Sequence, residues 1–152
     1  VADSRVRLMR PADRAALRRL GQHAFAQFGE YGDSLDQWLR HPRVVTVVAG
    51  SPPAGFAMVA PVDGQAYLLG ICVDPTARRT GVGQALLGEA IGQAARRCKH
   101  WGVDSLSLEV AEANTAARSL FAGAGFADAG AGRAYADGQA SRRMQRPLGS
   151  AG

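Results

Sequence analysis

Between the apolar run QAYLLGICV, residues 65–73, and a helix-like apolar pattern beginning at Gly83 stands RRTGVG, Arg78 to Gly83. Glycine weakens a helix interior, so two glycines one residue apart at the start of a helix mark a sharp turn or a close approach to the backbone. A strand, a glycine turn and a helix, in that order, let successive main-chain N–H groups and a helix N-terminus face an anion. Arg78 and Arg79 add positive charge beside them. The stretch therefore predicts a strand–loop–helix unit able to hold a pyrophosphate.

Two familiar phosphate loops do not fit it. A Walker A loop needs glycine five positions before Gly83 and Lys-Ser/Thr after it, whereas this chain has Arg78 there and Gln84-Ala85 after. The dinucleotide pattern GxGxxG starts with Gly81 and Gly83 but meets Leu86 at its third glycine.

The rest of the chain sets the frame for this loop. With 152 residues, 47% hydrophobic and 20% charged, it is long enough for one core and too short for two ordinary domains. One domain over residues 1–148 is expected, with a flexible tail at 149–152. The formal charge of +5 fits nucleic acid, a phosphorylated cofactor, an acidic partner or a plain solvated surface. No basic helix or stacking module accompanies it, so nucleic acid is not expected as a partner. Cys72 and Cys98 form neither CxxC nor zinc spacing, and no metal is expected. No apolar run approaches a membrane span or a signal peptide, which makes a cytoplasmic protein without membrane partners the expectation.

Element types follow from periodicity. RVRLMR, residues 5–10, alternates Val6 and Leu8 with arginines as a half-buried strand does, and Pro11 ends it. Ala16, Leu17, Leu20, Ala24 and Phe28 recur at helical spacing until Gly29 and Gly32 interrupt. A short amphipathic helix follows, with Leu35, Trp38 and Leu39 on one face, Ser34 as its cap and Pro42 beyond its end. Three strands come next, RVVTVVAG, GFAMVAPV and QAYLLGICV, with turns at 51–54 and at Asp63-Gly64. The helix from about Gly83 to Lys99 is predicted to bury Ala85, Leu86, Ala90, Ile91 and Ala94, and its terminal Arg96, Arg97 and Lys99 suit the helix dipole without a ligand. VDSLSLEV is a strand with Leu106, Leu108 and Val110 on one face and Ser105, Ser107 and Glu109 on the other. Asn114 caps a helix through Ala117, Leu120 and Phe121, Gly125 closes it, and short strands near Phe126 and over 140–147 finish the chain. The fold class is mixed α/β, with antiparallel strands before a strand–helix–strand–helix unit.

At these residues the sequence resembles the GCN5-related N-acetyltransferases. Arg78-Arg79-Thr80-Gly81-Val82-Gly83 matches their cofactor loop, Arg/Gln-x-x-Gly-x-Gly/Ala, and LEVAEANTAARSLFAGAGF, Leu108 to Phe126, resembles their downstream signature. This second block is most similar to the ribosomal-protein alanine N-acetyltransferases. The resemblance implies a mainly antiparallel central sheet flanked by helices, with splayed central strands that admit acetyl-CoA and release CoA. It implies direct acetyl transfer to a primary amine, either a peptide N-terminus or a small molecule. Family members often pair through late strands, so a homodimer is a further expectation.

Direct transfer needs a rigidly held thioester, a base for the ammonium proton and stabilisation of charge on oxygen and sulfur. The resemblance assigns the cofactor to Arg78, Arg79, Thr80, Gly81, Val82, Gly83 and Gln84, and to the strand ends at Cys72–Val73 and Val110. A main-chain N–H near Val73 polarises the carbonyl. Asn114 meets the pantetheine arm, and Ala117 and Phe121 complete the cofactor wall. Glu109 is the candidate base, against the alternative of a carboxylate paired with an arginine. Phe121 departs from the family's tyrosine, whose hydroxyl protonates the leaving thiolate; phenylalanine has no such proton. Tyr135, water or unaided departure of the thiolate remain as alternatives.

Other residues read as structural. Cys72 suits a small buried hydrophobe better than an acyl-carrying nucleophile. His23 and His41 suit surface or core roles, and Phe25, Phe28, Tyr31 and Trp38 suit either the core or an acceptor wall. Arg142, Arg143 and Arg146 read as a solvated strand face. The alternative to an enzyme is a non-catalytic acyl-CoA-binding regulatory module that kept the loop and lost its acid.

Overall fold

The apolar runs of the first half lie at the centre of a sheet because helices cover both of their faces. In the computed structural model, which describes residues 5–25, 31–135 and 138–149, with side chains at 23–33 outside that description, β2 (Val45–Ala49) and β3 (Gly55–Val62) are antiparallel neighbours. Val47, Ala49, Ala57 and Val59 pack toward α3 (Val82–Trp101), while Val48, Phe56 and Met58 pack toward α1 (Arg14–Phe25) and α2 (Tyr31–Arg40). Alternation along each strand thus feeds two cores. Gly55 allows the closest approach: a Cβ there would lie 2.7 Å from the Cys72 carbonyl and 2.9 Å from the Leu86 side chain.

The remaining strands are β1 (Val6–Leu8), β4 (Gln65–Val73), β5 (Ser105–Ala111), β6 (Ala127–Ala131) and β7 (Ser141–Pro147), and α4 (Thr115–Gly123) completes the helices. Among the described residues the seven strands form one sheet in the order β1-β2-β3-β4-β5-β7-β6. Only β4 and β5 pair in parallel there, joined by α3; the other neighbours are antiparallel. The expected mixed fold is the one observed.

Three expectations are corrected. Ser34 is not a cap, because α2 starts at Tyr31 and runs through Gly32; its buried face of Leu35 and Leu39 outweighs the cost of the glycine. Leu8 is 50% exposed, since β1 is an edge strand three residues long and only its Val6 reaches the core. On α3, Ala85 is exposed and Leu87 buried. Both flank the Val82–Leu86–Ala90–Ala94 stripe, and the larger apolar side chain gains more from burial.

Arg7 of β1 is bound bidentately to Asp13, at 2.7 and 3.0 Å, and also donates to the Gly50 carbonyl at 3.1 Å. Asp13 in turn accepts from the Arg10 N–H, which starts the 3-10 turn Pro11–Asp13 ahead of α1. The Arg7 guanidinium holds the Asp13 carboxyl below its ordinary range, against the opposing effect of burial. Phe28, Gly29 and residues 150–152 of the expected tail lie outside the described residues, as do the side chains of His23, Phe25 and Tyr31.

Candidate active site

β4 and β5 run together for two pairs, Ala66 with Leu106 and Tyr67 with Ser107, and then part. The cause lies on the other edge of β4. Met58 faces Gly70 while the next residue, Val59, faces Leu68, so Leu69 is an extra residue in β4. Such a bulge bends its strand and flips the side-chain parity after it. Ala66 and Leu68 join the α3-side core before the bulge, Ile71 and Val73 after it.

The parted strands enclose a cleft of about 330 Å³, lined by Tyr67 to Ile71 of β4 and Leu108 to Ala111 of β5. Asn114, Ala117 and Phe121 from the α4 segment, with Trp38 and Tyr135, complete its walls. Six expected site residues therefore meet in one place: Glu109, Val110, Asn114, Ala117, Phe121 and Tyr135. Cys72 and Val73 do not line it. The bulge opens the cleft at Leu68–Ile71, and both residues lie beyond it, where Val73 pairs with Gly55 and Cys72 with Phe56.

Cys72 is 4% exposed and its Sγ lies 3.5 Å from the Leu20 carbonyl of α1, on the opposite face of the sheet. Burial pushes its thiol up to about 11, a shift that Arg78 opposes and Asp74 reinforces. Buried on the α1 side and away from the cleft, Cys72 packs as a small apolar side chain. With Val73, Arg78 and Arg19 it lines a second cavity of about 350 Å³ on the α1 side.

The glycine loop has the backbone an anion site requires. Asp74 accepts from the Thr76 N–H at 2.9 Å, opening the 3-10 turn Pro75–Ala77, and the Thr80 hydroxyl donates to the Ala77 carbonyl. Arg79 and Gly81 then adopt left-handed conformations, with φ of 64° and 84°. The first helical bond of α3 runs from the Ala85 N–H to the Gly81 carbonyl. Main-chain N–H groups from Arg79 to Gln84 consequently have no acceptor among the described residues, and they cluster at the positive end of a 20-residue helix. That geometry fits a pyrophosphate.

Glu109 is exposed on the β5 face opposite Leu106, Leu108 and Val110, and its Oε1 accepts from the Arg133 N–H at 3.0 Å. Among the described residues it forms no ion pair, although Arg143 is its cross-strand neighbour on β7. Arg142 instead pairs with Asp128 at 2.6 Å, and Arg146 donates to the Ala124 carbonyl at 2.7 Å. Two of the three arginines expected on a solvated face thus tie neighbouring elements together. The Asn114 side chain caps α4 by accepting from the Ala117 N–H at 3.1 Å, which leaves its NH2 to donate. Phe121 is 4% exposed and packs against Phe126. It seals the cleft wall and contributes no proton. Trp38 belongs to both readings, packing on the α1–α2 core while lining the cleft. His41 is exposed, and its Nδ1 accepts from the Arg43 N–H.

Sequence reasoning missed Leu69, since a bulge leaves no local mark in an apolar run. It also missed Gly132, Arg133 and Ser141, for which the only signal was the glycine-rich AGAG before Arg133.

A central sheet opened between two parallel strands, with an anion-ready helix N-terminus at β4's exit, defines a protein that threads a long phosphorylated cofactor through its sheet. The Acetyltransferase (GNAT) family model matches residues 14–126, and the chain belongs to that family. It is 40% identical over 82 residues to the [ribosomal protein bS18]-alanine N-acetyltransferase of Escherichia coli strain K12, a match covering 54% of this chain and 53% of that protein. The chain thus spans about half the length of the curated relatives it matches. The crystal structure of the ribosomal-protein-S18-alanine N-acetyltransferase from Escherichia coli superposes with a TM-score of 0.80 at 29% identity, covering 98% of this chain and 96% of that one. The yncA protein of Salmonella typhimurium, solved with its cofactor acetyl-CoA, shares the fold with a TM-score of 0.79 at 19% identity, covering 97% and 95%. No helix among the described residues is long and apolar enough to cross a membrane.

Proposed function

We propose that this protein is an acetyl-CoA-dependent N-acetyltransferase acting on a primary amine, with a protein N-terminus as the favoured acceptor. The observation that carries the reading is the parting of β4 and β5 after two pairs, beside a loop whose N–H groups from Arg79 to Gln84 lack acceptors. Family membership supports the reaction, and the 82-residue likeness to the alanine N-acetyltransferases supports the acceptor.

When bound, acetyl-CoA supplies the activated thioester. The loop holds its pyrophosphate through main-chain donors, with Arg78 and Arg79 adding charge, and the Asn114 NH2 holds the pantetheine arm. A main-chain N–H of β4, near Val73 or where the strand lines the cleft, polarises the thioester oxygen. Glu109 accepts the proton released by the attacking ammonium, directly or through one water. Tyr135, on the same cleft, returns a proton to the departing sulfur, the task Phe121 cannot perform. As the amine's bond to the acetyl carbon forms, the carbon–sulfur bond breaks.

Thiol release from acetyl-CoA, measured with peptides bearing a free N-terminal alanine and with small amines, tests this reading alongside calorimetric binding of CoA. Peptide-dependent release supports it in full. Tight CoA binding without release across the panel would favour a non-catalytic acyl-CoA-binding module, and release with small amines alone would replace the acceptor.

A further inference from the structure

We infer that Ser141 and Gly132 are positioning residues that fix the carboxylate of Glu109 through the Arg133 main chain, an inference that rests on Glu109 being the base. Glu109 is itself exposed on β5, where a free carboxylate would sample many rotamers. Among the described residues it is restrained by the 3.0 Å hydrogen bond from the Arg133 N–H to Oε1. With Oε1 occupied, Oε2 is left to take a proton from the cleft.

Arg133 itself lies outside any strand, in the connection from β6 to β7, so its N–H is only as fixed as that connection. Two bonds from Ser141 fix it. The Ser141 carbonyl accepts from the Gly132 N–H at 2.9 Å, and the Ser141 hydroxyl donates to the Arg133 carbonyl. The peptide group before Gly132 and the one after Arg133, on either side of the peptide whose N–H meets Glu109, are thereby anchored to the first residue of β7, which is 3% exposed. Ser141 also pairs with Ala111, two residues beyond Glu109, so the anchor and the carboxylate share one strand pair.

Gly132 serves the same contact by what it lacks. Its φ is not in the left-handed region, so backbone conformation does not demand glycine there. A Cβ would collide with Ser141 Oγ and stand 3.0 Å from Glu109 Oε1. The absent side chain is the space in which the Ser141 hydroxyl and the Glu109 carboxylate converge. Tyr135, the proposed acid, follows two residues later, with its own N–H bonded to the Gln139 carbonyl at 2.9 Å.

The test is a double-mutant cycle on the full chain. Ser141→Ala and Gly132→Ala are each made alone and together with Glu109→Gln, and kcat and KM are measured with a hexapeptide bearing a free N-terminal alanine, beside CoA affinity by calorimetry. Misplacement of a reacting group costs up to a hundredfold, and each single variant is expected to lose about tenfold in kcat. CoA affinity should stay within about twofold, because the loop at Arg79–Gln84 is untouched. In the Glu109→Gln background neither variant should lower kcat further, since groups acting as a unit are not additive. Equal losses in both backgrounds, or loss of CoA binding along with turnover, would overturn the positioning role while leaving Glu109 as base. Full turnover in Glu109→Gln alone would remove the base and this inference with it.

Discussion

The ring of Phe121 meets that of Phe126 edge to face, with centroids 5.9 Å apart and planes inclined at 64°. Both rings are 4% exposed, and Phe121 forms cleft wall and core at once. Phe121→Ala is therefore expected to cost about 3–5 kcal/mol, the usual loss for a buried phenylalanine. Urea denaturation reads it, and a change below about 1 kcal/mol would show that α4 is not anchored through this ring.

Glu109→Gln keeps the shape of the side chain and its acceptor oxygen while removing the base. Turnover should fall about a hundredfold, within the range of general-base contributions, with CoA affinity unchanged. Tyr135→Phe should lower kcat about a hundredfold on the same grounds. Retention of full activity by either variant would strike that residue from the mechanism.

Gly81 has φ of 84°, in a region where a Cβ costs about 1–2 kcal/mol, and nothing lies within 4 Å of where that Cβ would be. Gly81→Ala is thus a backbone perturbation without a clash. It should weaken CoA binding by about tenfold in calorimetry, because the N–H groups it reorients are those without acceptors. Gly83 is different: its Cβ would make ordinary contacts of 3.8 Å with Leu120 and Val73, so Gly83→Ala should bind CoA as the parent does.

The Arg7–Asp13 pair predicts a pH dependence with a definite sign. Its side chains are 15% and 10% exposed, and the guanidinium holds the folded carboxyl below its ordinary range. Its stabilisation is fully present above the unfolded-state value, and it is lost as pH falls through the lower folded value. Asp13→Asn should cost about 1–3 kcal/mol at pH 7, and the gap from the parent should narrow only below about pH 4. A gap independent of pH down to 2 would contradict this.

Alkylation separates the cysteines. Cys72 is buried with its thiol pushed up to about 11, whereas Cys98 is partly exposed. Iodoacetamide at pH 8 should label Cys98 at least about tenfold faster, with Cys72 reacting on unfolding, as peptide mass mapping would follow. Equal rates would mean that α1 does not cover Cys72.

Much of this protein was legible because its signals are local. The turn at Asp63-Gly64 lies in its own two residues, the Asn114 cap and the Gly125 end bracket α4, and the alternation of Leu106, Leu108 and Val110 selects a face without reference to any partner. RRTGVG is of the same kind: left-handed φ at Gly81 and an exposed helix start follow from neighbouring residues. What stayed hidden depends on residues far apart in the chain. Leu69 is a bulge only against Met58 and Val59, Leu87 outranks Ala85 only because α3 lies on the sheet, and β4 parts from β5 only once the bulge bends it. Glu109, Arg133 and Ser141 span 32 positions, yet share one set of hydrogen bonds. Periodicity chose the face Glu109 occupies, and the pairing of β5 with β7 decided what holds it, because register between strands is set by packing across the sheet and not by either strand alone.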